Sequence, residues 1–130
     1  MSAGILIDTY TWFEIFKNSV WGNRALAMIE RSSPLFISVL TLYELQYQLE
    51  DEYGHEVANT RIKTILSYTK TIPVDDQIAS LAGLIKLEQK RKKSKMGAVD
   101  CLILATARIH NLNVLTSDIH FDGLDETIVL

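Results

Sequence analysis

An α/β domain with a parallel sheet covered by helices on both faces is the fold this sequence predicts. Three observations carry that expectation. Short strand-like runs recur at 5–7, 35–37, 71–74, 114–116 and 127–130. Stretches of helical periodicity, long enough to serve as crossovers, separate them. No repeat, linker or low-complexity stretch interrupts the alternation. With 130 residues, 48% of them hydrophobic, one domain over 1–130 can bury a real core, whereas two would each be marginal.

The elements follow in order. Ile5-Leu6-Ile7 is continuously apolar, as in a strand buried on both faces, and Asp8 closes it. Helical patterns run from Thr11 to about Lys17 and from Trp21 to about Glu30. Ser32-Ser33-Pro34 breaks the chain before the strand Leu35-Phe36-Ile37. Leu42, Leu45 and Leu49 recur at helical spacing and predict a helix from about Thr41 to Tyr53. Gly54 divides it from another that reaches about Thr69. Thr71-Ile72-Pro73-Val74 reads as a short strand, which Pro73 puts at a sheet edge or strand end. Asp75 or Asp76 then caps a long helix with Ile78, Leu81, Ala82 and Ile85 as its apolar stripe. A basic run forms its last turn, where positive charge suits the helix dipole. Gly97 opens a helix that turns Val99, Leu102, Ile103, Thr106 and Ile109 inward, and Asn111 and Asn113 flank its end. Val114-Leu115-Thr116 and Thr127-Ile128-Val129-Leu130 complete the sheet at about five short strands.

Charge and composition exclude several classes. A net charge of −3 argues against a protein that coats nucleic acid by bulk electrostatics. Six of the thirteen basic residues nevertheless fall between Lys86 and Lys95. Such a run is ordinarily a solvated helix end; beside a catalytic site, Lys92, Lys93 and Lys95 become candidates for steering phosphates. No apolar run approaches the roughly 18–20 residues of a membrane span. The opening residues lack a basic-then-apolar secretory pattern. Cys101, the single cysteine, has no internal disulfide partner, so a cytoplasmic setting is expected.

Open parallel sheets bind ligands beyond the carboxyl ends of their strands. That rule selects Asp8 and Asp118. Glu44 and Asp100 join them at or near predicted helix starts. Each acid has an ordinary structural explanation. Asp8 suits a helix cap, Glu44 completes a capping box with Thr41, Asp100 complements a helix dipole, and Asp118 fits a turn. These explanations predict nothing about one another, whereas convergence on one cleft accounts for all four. Two carboxylates about 4 Å apart repel by about 4 kcal/mol at an effective dielectric of 20. Four crowded acids therefore call for cations, and hard oxygen ligands suit Mg²⁺ or Mn²⁺. Neither a Cys/His zinc set nor a phosphate-binding glycine loop is present. A receiver-type signalling domain would need a second acid beside Asp8, and Ile7 and Thr9 stand there. An Asp-x-Asp phosphatase fails at Tyr10.

Four segments in order resemble the PIN-domain family: Ile5-Leu6-Ile7-Asp8-Thr9-Tyr10-Thr11-Trp12, Thr41-Leu42-Tyr43-Glu44-Leu45, Val99-Asp100-Cys101-Leu102-Ile103-Leu104-Ala105-Thr106-Ala107, and Val114-Leu115-Thr116-Ser117-Asp118-Ile119-His120-Phe121. The likeness is greatest to VapC toxins of prokaryotic toxin–antitoxin pairs, with an opening of archaeal character. It implies a three-layer α/β/α sandwich around a mainly parallel sheet, and Mg²⁺- or Mn²⁺-dependent hydrolysis of RNA phosphodiesters. It also implies a homodimer and a small cognate antitoxin. The family's catalytic and metal-holding acids map onto Asp8, Glu44, Asp100 and Asp118. Thr116 supplies a supporting hydroxyl, and a second falls on Thr9 or Thr11. Two alternatives keep the fold: a PIN-like module that only binds or regulates, and a nuclease of RNA processing rather than a toxin. His55, His110 and His120 read as structural or surface groups.

Overall fold

The structure, a computed structural model, describes residues 2–31, 34–116 and 127–129. Five strands, β1 (Ile5–Ile7), β2 (Leu35–Ser38), β3 (Lys70–Ile72), β4 (Asn113–Thr116) and β5 (Thr127–Val129), form one sheet in the order β3-β2-β1-β4-β5. Every pairing is parallel. The helices are α1 (Thr9–Phe16), α2 (Val20–Arg31), α3 (Val39–Tyr53), α4 (His55–Tyr68), α5 (Asp76–Arg91) and α6 (Ala98–His110). The fold class and strand number expected from the sequence are therefore those observed. Pro73 follows β3, which is an edge strand, because a residue without an N–H cannot extend a ladder.

Side-chain alternation along the strands builds two cores. Leu6 and Val114 point to the layer of α5 and α6, with Ile78, Ala82, Ile85 and Leu104. Ile5, Ile7, Ile37 and Leu115 point to the layer of α1–α4, with Trp12, Phe13, Leu45, Leu49, Ile62 and Ile65. The register Leu6↔Val114 and Ile7↔Leu115 keeps each set on its own face. Burying a side chain such as Leu6 or Ile7 contributes about 1.5–3 kcal/mol, so a one-residue slip would cost several such terms together.

Two local features differ from the periodicity. Helix α6 buries Cys101, Leu104, Ala105 and Ala107 besides the expected Ile103 and Thr106. It is apolar nearly all round because α5 covers the side that the sheet does not. The basic run also extends past its helix. Lys90 and Arg91 end α5, Lys92 is the C-cap, and Lys93 adopts a left-handed φ of 60°. Gly22 allows α2 to lie against α1. A Cβ there would fall 2.0 Å from the Glu14 carbonyl oxygen.

Candidate functional site

The chain passes from β1 to β2 and β3 on one side of the sheet, then returns to β4 on the other. Sheets of this kind bind ligands where the order reverses, beyond the strand ends. Asp8 lies there, directly after β1. Its Oδ1 accepts the Thr11 backbone N–H at 2.8 Å, capping α1, and its Oδ2 accepts the Thr116 hydroxyl at the end of β4. The cap explanation of Asp8 is thus real, and the carboxylate is held from two elements at once. An ionised carboxylate has about four lone-pair sites on its two oxygens.

Glu44 behaves differently. Ser38, not Thr41, caps α3, accepting the Leu40 N–H at 3.1 Å. The expected capping box is absent because the helix begins at Val39, which leaves Glu44 in the second turn. There Glu44 Oε1 accepts the Thr9 hydroxyl at 2.7 Å. Thr11 instead donates to the Leu115 carbonyl at 3.1 Å. Of the two hydroxyls, that of Thr9 bonds an acid, and that of Thr11 ties α1 to β4. Asp100 stands half-buried in the first turn of α6, whose Gly97 cap offers no side chain.

These three acids line one cavity of about 220 Å³, together with Thr9, Tyr10, Phe13, Thr41, Gln48, Val99 and Ile103. It lies where α1 and α3 from one layer meet α6 from the other, and its described lining holds no basic side chain. Asp118 lies outside the described residues, as does His120. Two further lining residues were missed at the level of sequence. Gln48 and Thr41 share a face of α3 with Glu44, at the spacings of three and four residues that could have found them. Thr41 is 1% exposed, and its hydroxyl has no hydrogen-bond partner among the described residues.

Oxygen donors of this kind fit a hard divalent cation. Among the described residues, no three Asp, Glu, His or Cys side chains are gathered closely enough to grip an ion by themselves. Mg²⁺ tolerates such openness, because it keeps several waters and takes only one or two carboxylates from the protein.

A family model for the PIN domain matches residues 5–126. The chain belongs to the PIN-domain family. Solved structures share its fold. VapBC2 from Rickettsia felis, bound to a promoter DNA fragment, is 22% identical, with 97% of this chain and 96% of that chain covered at a TM-score of 0.79. FitAcB from Neisseria gonorrhoeae is 24% identical over 97% and 96%, at 0.80. VapC20 from Mycobacterium tuberculosis, a sarcin–ricin loop cleaving toxin, is 18% identical over 92% and 91%, at 0.67. Among curated proteins, no sequence match reaches significance.

The remaining candidates of this PIN domain lie away from the cavity lining. Lys92, Lys93 and Lys95 are exposed in the connection between α5 and α6. Lys92 Nζ bonds Glu88 Oε1 at 2.9 Å and holds the Glu88 carboxyl below its ordinary value. His55 pairs on the surface with Glu50 at 2.7 Å, and His110 is exposed. Cys101, next to Asp100 in sequence, faces the core instead. Burial pushes its thiol up, so it stays protonated and unreactive near neutral pH. Among the described residues, no helix is long and apolar enough to cross a membrane.

Proposed function

We propose that this PIN domain is a Mg²⁺- or Mn²⁺-dependent endoribonuclease, acting as the toxin of a VapBC-type toxin–antitoxin pair. The observation that carries the reading is the arrival of Asp8, Glu44 and Asp100, from three separate elements, at one cavity. Membership of the family supports nuclease chemistry, and structural relatives described as a toxin–antitoxin complex and as a cleaving toxin support the toxin role. A small antitoxin, a homodimeric state and a cytoplasmic location belong to the same proposal.

Asp8, Asp100 and Glu44 would hold the cation, with Asp118 as the fourth acid contributed after β4. A bound cation supplies positive charge against the phosphate and lowers the pKa of nearby water. The protein's own part is orientation. Thr11 and Thr116 fix both Asp8 oxygens, and Thr9 fixes one Glu44 oxygen while leaving the other for a ligand. Hydrolysis adds water at phosphorus and expels the 3′ oxygen, which leaves as a hydroxyl opposite a 5′-phosphate. No histidine is required.

Asp8→Asn and Asp100→Asn test this directly on labelled single-stranded RNA. Asn is as good a cap as Asp, so Asp8→Asn should keep α1 and the fold, checked by circular dichroism. Mg²⁺-dependent cleavage should fall about a hundredfold or more in either variant, the scale of losing several kcal/mol of charge stabilisation. Undiminished cleavage by either protein, or by the wild type in EDTA, would defeat the proposal.

A further inference from the structure

The cavity's described lining carries three carboxylates and no Lys, Arg or His, in a chain whose net charge is −3. Beyond a bound cation, a polyanion meets no attractive side-chain charge in this described lining, which leaves room for contacts of another kind beside the cut. Two aromatic residues are part of that lining. Phe13 is buried, whereas Tyr10 leaves 55% of its surface exposed. An exposed tyrosine is ordinary on a protein surface; one on the wall of an acidic cavity is not accounted for by folding. Tyr43 and Tyr47 are also exposed, but they line a separate groove along α3.

We infer that Tyr10 is a positioning residue for the nuclease reaction, its ring stacking the nucleobase next to the phosphate to be cut. The inference rests on the nuclease reading. Its ring is carried on a stiff base: the first turn of α1 is capped by Asp8, and Thr11 bonds the β4 backbone at 3.1 Å. Thr9, its neighbour, holds Glu44. A base on this ring is thereby placed with reference to two of the acids. Tyrosine loses little rotamer freedom on binding, having only two χ angles. Every base has a π-face, so stacking is tolerant of sequence, but a base locked inside a duplex cannot offer that face. The ring therefore selects nucleotides that are unpaired at the cut. Gln48, on the same wall, adds amide donors and an acceptor for a base edge or 2′-hydroxyl.

The test compares wild type, Tyr10→Phe and Tyr10→Ala on a short fluorescein-labelled single-stranded oligoribonucleotide. Cleavage is read in Mg²⁺, and binding is read separately by anisotropy with Ca²⁺ in its place. Tyr10→Ala should weaken binding roughly five- to hundredfold, the range of one base–aromatic stack, and lower kcat/KM mainly through KM. Tyr10→Phe should stay near wild type. An abasic nucleotide beside the cut should impair the wild type and add no further loss to Tyr10→Ala. Melting curves confirm that both variants fold. Equal binding by wild type and Tyr10→Ala would give the ring to a protein contact and overturn the inference, as would a Tyr10→Phe defect matching that of Ala. Tyr10-dependent binding without cleavage would sink the nuclease reading and keep the stacking role; cleavage indifferent to Tyr10 would do the reverse. Absence of RNA binding by the wild type would remove both.

Discussion

Asp8 and Thr41 show at the level of single residues that groups lining the cavity bear on folding in opposite ways. Asp8 caps a helix and accepts a strand-end hydroxyl, bonds that contribute to stability whatever else the carboxylate does. Thr41 contributes nothing comparable. Its hydroxyl is buried without a partner among the described residues, and such a group ordinarily costs about 1–3 kcal/mol. Valine has the same shape without the hydroxyl. Thr41→Val is therefore expected to raise stability by about 1 kcal/mol, seen as a higher urea midpoint at unchanged m-value. A lower midpoint would reveal a bonding partner for the hydroxyl in solution.

At the scale of elements, what the sequence disclosed and what it hid have physical reasons. The strands were readable because a parallel strand covered on both faces is continuously apolar, as in Ile5-Leu6-Ile7. Asp8 and Asp100 could be found from strand ends and helix starts. The start of α3 could not, since Ser38 and Thr41 are both hydroxyls three residues apart, and only the length of β2 decides which one caps. Helix α6 hid its orientation, because an element buried on both sides has no stripe. The basic run hid its break, because nothing about lysine announces the left-handed φ of Lys93. That break has a consequence for the proposed steering of phosphates by Lys92, Lys93 and Lys95. Lys92 already pairs with Glu88, so its charge is partly spent. Lys93→Gln with Lys95→Gln should weaken RNA binding and flatten its salt dependence by about two contacts, more than Lys92→Gln does. Equal salt slopes for all variants and wild type would return the segment to solvated surface.

For the whole molecule, the balance lies between a doubly covered sheet and a cavity of like charges. Two cores on opposite faces of β1 and β4 fix the strand ends, and the strand ends fix Asp8 and Thr116. The acids thus reach one cavity through packing far from the site, in a domain whose net stability is only about 5–15 kcal/mol. A divalent cation bound only by the native state should then stabilise it. At a concentration a hundredfold above its Kd the gain is about 2.7 kcal/mol, and each kcal/mol moves the midpoint of a domain this size by about 2–8 °C. Millimolar Mg²⁺ should raise the melting temperature by several degrees, beyond NaCl at matched ionic strength, and Asp100→Asn should lose most of that rise. A binding-only PIN domain with no use for metal predicts equal curves in both salts. Equal curves for the wild type would leave the fold standing and remove the metal from the proposed chemistry.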